Sequence, residues 1–123
     1  MIFHGISKVF STENEGQYET IGAFWDELAK VYGLENLRGL GYNWTESSIE
    51  YVIGLKEGII KGCNCAAELP DTGWITFRGK TENLSQIYNE IYKDGSLTYE
   101  IETFTDAGDC EIQYWRQPER GKQ

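Results

Sequence analysis

The sequence predicts an α+β fold in which two helices cover one face of an antiparallel sheet. Three observations carry that expectation. The segments Ile21–Lys30 (IGAFWDELAK) and Leu84–Lys93 (LSQIYNEIYK) align with Phe24 over Ile87, Trp25 over Tyr88, Glu27 over Glu90 and Leu28 over Ile91. Each is followed by two strand-like runs, and the closing runs repeat a Glu in register, in IEYVIGL at 49–55 and CEIQYWR at 110–116. The helices match at an offset of 63 residues and the closing strands at 61, so a two-residue loop difference separates the copies. The order strand, helix, strand, strand therefore occurs twice within one domain spanning 1–123, as a repeat of about 1–56 and a repeat of about 69–117. Two such half-domains related by a pseudo-twofold axis meet at a seam, and a seam is a natural place for a ligand cleft.

The elements follow from pattern. Residues 2–11 read as a strand, with Ile2, Ile6 and Phe10 spaced among polar residues and Gly5 interrupting. The polar loop 12–18 leads to Thr20 as the expected N-cap of the first helix. Ile21, Phe24, Trp25, Leu28 and Tyr32 follow the spacing of one buried helical stripe, which Gly33 ends. Two strands are expected at 37–44 and 49–55, the second with Ile49, Tyr51, Ile53 and Leu55 alternating with Glu50 and Val52. The linker 56–72 carries Gly58, Gly62 and Pro70, and its middle, Ile59 to Ala67, is a candidate edge strand.

The second unit opens with Trp74–Arg78, where Ile75 and Phe77 face one way and Trp74, Thr76 and Arg78 the other. Thr81 is the expected N-cap of the second helix, whose stripe is Leu84, Ile87, Tyr88 and Ile91 and which Asp94-Gly95 closes. Strands at 97–104 and 109–116 form a hairpin across Asp106-Ala107-Gly108-Asp109, and the polar tail 118–123 is expected to fray.

Composition narrows the function classes. The chain has 123 residues, 40% of them hydrophobic and 14% aromatic, as a folded domain does. Twenty acidic residues against eleven basic ones leave a formal charge of −9, which argues against nucleic-acid binding and suits a cationic ligand or a solvated acidic surface. No segment reaches the ~18–20 apolar residues that span a bilayer. The start MIFHGISKVF has neither the basic nor the apolar part of a signal peptide, so a cytoplasmic location is expected. Cys63, Cys65 and Cys110 are read as reduced thiols, because the paired ligands of a metal site are missing around them and His4. No metal or cofactor is expected.

Alternation assigns faces to the second repeat. Leu97, Tyr99 and Ile101 are expected to pack against a helix, leaving Thr98, Glu100, Glu102 and Phe104 on the opposite, helix-free face. Ile112 and Tyr114 join the helix-facing set, and Glu111, Gln113 and Trp115 the other. Trp74, Tyr42 and Trp44 are expected on that same helix-free face. Carboxylates interleaved with large rings offer stacking, cation–π attraction of ~0.5–2 kcal/mol per ring and a charge partner, which is what a flat, apolar cation needs. The candidate binding residues are accordingly Glu100, Glu102, Glu111, Trp74, Phe104, Tyr42, Trp44 and Trp115.

The runs GISKVFSTEN, IGAFWDEL, IEYVIGL, LPDTGWITFRG, IETF at 101–104 and the closing EIQYW stand in one order along nearly the whole chain. Together they resemble the GyrI-like small-molecule-binding domain, the effector-binding module of some bacterial AraC- and MerR-type regulators, which is also found as a stand-alone protein. The resemblance implies the duplicated strand-helix-strand-strand fold and a central cleft for hydrophobic, often cationic, drug-like molecules. It implies a pocket acid on the first strand after the second helix, where Glu102 is the better motif match and Glu100 lies one register step away. It also implies that Trp74, which follows the Pro-x-x-Gly of the preceding strand, lines the pocket.

Three function classes follow. The first is a stand-alone binding module for hydrophobic cations, acting by sequestration or as a sensor that works through a separate regulator. The second, implied by relatives of the resembled family, is a hydrolase of electrophilic cyclopropane-bearing compounds. It would use Glu102 or Glu111 as general base, with Tyr42, Tyr51 or Tyr114 to position water. The third is a protein-interaction module such as a DNA gyrase inhibitor. Self-association through an exposed Trp115 or Trp44 is a further option. No Ser-His-Asp set, Cys-His pair or phosphate loop assigns a catalytic residue.

Overall fold

Seven strands, every neighbouring pair antiparallel, form one open sheet in the computed structural model, which describes residues 1–117. In chain order the elements are β1 (Ile2–Ser11), α1 (Gln17–Tyr32), β2 (Leu37–Tyr42), β3 (Ser48–Leu55), β4 (Cys65–Glu68), β5 (Ile75–Lys80), α2 (Leu84–Tyr92), β6 (Tyr99–Phe104) and β7 (Asp109–Trp115). The sheet order is β4-β1-β3-β2-β6-β7-β5. Without β4, the first three strands and the last three occupy matching places on either side of the β2–β6 boundary. The fold is α+β, an antiparallel sheet with two helices. Among the described residues no helix is long and apolar enough to cross a membrane.

The expected strands form, with small boundary changes. β2 ends at Tyr42, where Asn43 takes a φ of 52°, a left-handed conformation that asparagine tolerates. The edge strand expected at 59–67 is shorter and later, Cys65–Glu68, and pairs with β1 from Ile2↔Glu68 to Gly5↔Cys65. Helix α1 begins at Gln17 behind Gly16, so Thr20 is not its N-cap. Thr20 instead lies in the first turn and returns its hydroxyl to the Gly16 carbonyl at 3.1 Å. Thr81 is likewise displaced: it opens a short 3-10 turn, Thr81–Asn83, ahead of α2. Gly33 does end α1, at a φ of 87° that places its N–H on the Ala29 carbonyl at 2.9 Å. The tail 118–123 lies outside the described residues.

Both helices pack on one face. Phe24 and Trp25 of α1 are buried with Leu37, Tyr51, Ile53 and Ile60. Ile87, Tyr88 and Ile91 of α2 are buried with Leu97, Cys110 and Ile112. The other face carries its own small core of Phe3, Leu40, Val52, Ala67, Leu69 and Ile101, roofed by the chain that leads from β4 towards β5. Two indole N–H groups hold that roof, Trp74 Nε1 donating to the Pro70 carbonyl at 2.8 Å and Trp115 Nε1 to the Thr72 carbonyl at 3.1 Å.

The pairing of β6 corrects the face assignment. Ile101 stands opposite Leu40 and Gln113, and Glu102 opposite Gly39 and Ile112. Tyr99 and Ile101 therefore face away from the helices, while Glu100, Glu102 and Phe104 face towards them. Leu97 does pack against α2, but it precedes the strand, and a bend at Thr98 interrupts the alternation. Counting by twos from Leu97 thus carries the wrong parity into β6. The assignments of Ile112, Tyr114, Glu111, Gln113 and Trp115 agree with the register.

A buried acid pair beneath the two helices

Where β2 meets β6, the helix-facing surface is made from Gly39 and Gly41 on one strand and Glu102 and Glu100 on the other, paired Gly39↔Glu102 and Gly41↔Glu100. The glycines are there for space. A Cβ on Gly39 would come within 2.6 Å of the Trp25 ring, and one on Gly41 within 2.8 Å of Glu100 Oε1. Removing two side chains from the central strand lets two glutamates and the aromatic residues above them occupy the seam between α1 and α2.

Both acids are buried, Glu100 at 6% exposure and Glu102 at 7%. Tyr88 Oη donates to Glu102 Oε2 at 2.7 Å, and Tyr51 Oη donates to Glu102 Oε1. Trp25 Nε1 donates in turn to Tyr51 Oη at 2.9 Å, so α1, β3, β6 and α2 meet in one buried network. Tyr92 Oη reaches Glu100 Oε2 at 3.3 Å, a longer and weaker bond. Tyr88 and Tyr92, one helical turn apart, stack with ring centroids 5.7 Å apart. Phe104 meets Trp25 edge-on at 5.0 Å and closes the aromatic wall.

The electrostatics follow from burial without a counter-charge. Among the described residues no Lys, Arg or His bonds to either acid. Desolvation, then the neighbouring charge of Glu102, pushes the Glu100 carboxyl well above the usual range. Desolvation raises Glu102 as well, and the Tyr51 and Tyr88 hydroxyls offset part of that rise. Burial and the two acids push the hydroxyls of Tyr51 and Tyr88 well up, so both remain donors. Tyr92 is raised by burial and then by Glu100. Tyr18, largely exposed at the start of α1, is raised by partial burial and then by the charges of Glu15, Glu100 and Glu102. Burial and then Glu102 also keep the Cys110 thiol protonated and a poor nucleophile.

The eight sequence-predicted site residues divide between two places. Glu100, Glu102 and Phe104 are together in the seam, and Trp44 packs on the α2 cluster on the same side of the sheet. Trp74, Tyr42 and Trp115 are on the opposite face, grouped around Tyr99 at centroid distances of 6.2, 6.2 and 5.8 Å. Glu111 is also on that face and is paired with Arg78 at 2.8 Å. The expected single surface of acids and aromatics therefore does not exist. Of the tyrosines named beside a candidate base, Tyr51 does reach Glu102, whereas Tyr42 donates to Glu50 at 2.8 Å and Tyr114 lies beneath Arg116.

Trp25, Tyr88, Tyr92, Gly39 and Gly41 were missed as site residues. The signal that could have found them is the spacing Gly39-x-Gly41 on a central strand, together with Tyr88 and Tyr92 four apart on α2. Comparisons with family models, with curated proteins and with solved structures gave no match. The class defined here is thus the fold and its seam: an α+β antiparallel sheet with two helices and a buried acid pair that has no basic partner among the described residues.

Proposed function

We propose that this chain is a small-molecule-binding module that takes a hydrophobic cation into the seam between α1 and α2, the role implied by its resemblance to GyrI-like domains. In this reading the two strand-helix-strand-strand units are a duplication, and the ligand cleft is their pseudo-twofold seam. The observation that carries it is the acid pair: two carboxylates, 6% and 7% exposed, under an aromatic wall and with no basic partner among the described residues. Uncompensated buried acids are costly to a fold that gains nothing else from them. A ligand cation supplies the missing charge, and Trp25, Tyr51, Tyr88, Tyr92 and Phe104 supply ring faces and apolar area. In this reading the ligand enters past Tyr92 and Tyr18, which are 39% and 65% exposed. The bound state would feed a sensor's separate partner or serve sequestration directly.

The test is quenching of tryptophan fluorescence by matched cationic, neutral and anionic aromatics. Trp25 is bonded to the network itself and reports on the seam. Preference for the cation, weakened at least about tenfold by Glu100→Gln or Glu102→Gln, supports the reading. Equal affinity for a cation and its neutral isostere would sink it. The hydrolytic alternative draws on Glu102 as general base, and turnover of a strained electrophile lost in Glu102→Gln would favour it. Gyrase inhibition indifferent to both substitutions would favour the protein-interaction reading.

A further inference from the structure

Glu100 and Glu102 are chemically unequal, and their difference deepens the cation-binding reading, on which this inference rests. Both oxygens of Glu102 accept a tyrosine hydroxyl, from Tyr51 and Tyr88. Glu100 accepts Tyr92 through Oε2 at the longer distance of 3.3 Å, the Tyr88 hydroxyl that bonds Glu102 also favours its ionised form, and its Oε1 lies against Gly41. Glu100 is also the acid bonded to the partly exposed Tyr92, whereas Glu102 is held by the buried Tyr51 and Tyr88.

Among the described residues, the groups that face the pair are neutral or acidic on every element. They are Tyr18 on α1 with Glu15 beyond it, Tyr51 on β3, Tyr88 and Tyr92 on α2, and Cys110 on β7, while β2 presents only glycine. Two adjacent carboxylates in such a setting relieve their repulsion by keeping one proton between them. The two hydroxyls on Glu102 favour its ionised form, which leaves that proton on Glu100.

We propose that the seam binds by cation-for-proton exchange: the ligand's positive charge seats against Glu100, the Glu100 O–H bond breaks, and the proton leaves to bulk water. Charge balances. Before binding the pair holds one negative charge, from Glu102; afterwards two carboxylates and one cation sum to the same value. A buried site that keeps its net charge through binding avoids the cost of creating a new one.

The experiment is isothermal titration calorimetry of the full chain with tetraphenylphosphonium and with ethidium, in phosphate and in Tris. Neither cation owes its charge to a titrating proton. The exchange predicts heats that differ between the buffers by their ionisation enthalpies, corresponding to about one proton released per ligand, and affinity that drops about tenfold per pH unit as the pH is lowered below the Glu100 pKa. Glu100→Gln should bind more weakly near neutral pH, release no proton and lose the pH slope. Buffer-independent heats with pH-independent affinity in the wild-type chain overturn the exchange and leave the cation site standing. Failure of both cations to bind the wild type overturns the cation site, and the exchange with it. If Glu100→Gln does not fold, the two-buffer comparison on the wild type decides alone.

Discussion

Tyr88 Oη donates to Glu102 Oε2 at 2.7 Å, and this buried bond ties helix α2 to the central strand β6 at the point where the two halves of the sheet meet. Its counterpart from the other side is the Trp25–Tyr51–Glu102 chain, which ties α1 to the same carboxylate. One side chain therefore anchors both helices.

Loss of the Tyr88 hydroxyl should therefore be felt in stability. Tyr88→Phe removes one of two donors to a buried carboxylate and is expected to cost about 1–3 kcal/mol. Urea unfolding at neutral pH measures it. An unchanged midpoint would mean that the bond contributes nothing in the native state.

The acid pair also predicts a pH dependence with a definite sign. Glu100 and Glu102 are raised in the folded protein, so the native state holds more protons than the unfolded chain above the ordinary Glu pKa of ~4.3. Their contribution to stability is fully present below that value and is lost as the pH rises through the raised pKa values. Glu50 has the opposite sign. Burial raises it, but bonds from Ser7, Asn43 and Tyr42 outweigh burial and lower it, so its contribution is lost as the pH falls through its folded pKa. Glu100→Gln isolates the first effect. At about pH 8 it should melt higher by on the order of 4 °C, equivalent to about 1 kcal/mol, and the gain should fade towards about pH 4. Calorimetric melts across that range decide it; a gain that is constant with pH would assign the effect to packing.

The glycines of β2 should not tolerate a methyl group. Gly39→Ala places a Cβ against the Trp25 and Tyr51 rings and is expected to destabilise by about 1–3 kcal/mol through overpacking. The same displacement should move Tyr51 off Glu102, so the Trp25 emission maximum shifts even in variants that remain folded. Gly22→Ala, on α1 with open space at the Cβ position, is the control and should be neutral or slightly stabilising.

Trp74 and Trp115 separate the two faces. Each indole N–H holds the segment 70–72 over the helix-free core, so Trp74→Phe or Trp115→Phe should cost about 1 kcal/mol of stability. Neither touches the acid pair, and cation affinity should stay within about twofold of wild type. A large loss of affinity in Trp74→Phe would restore the helix-free face as the binding surface.

Much of this fold was legible in the chain. The repeated helical stripes, the strands after each helix and the stop at Gly33 all rest on local periodicity, and local periodicity survives into the folded state. The place of Glu100 and Glu102 on the first strand after α2 was legible too. What failed was their direction. Alternation fixes only which residues share a face, and the bend at Thr98 changed the parity between Leu97 and Tyr99.

The sequence by itself determined the elements, their order and the strand that carries Glu100 and Glu102. Only the tertiary structure decided that these glutamates lie under the helices, bonded by Tyr51, Tyr88 and Tyr92, while on the other side Trp74 and Trp115 hold the segment 70–72 and Tyr42 bonds Glu50. The physical reason is register. A side chain's face depends on the strand paired beside it, and Gly39 and Gly41 opposite the acids made room for buried charge that burial preference alone would have sent to solvent.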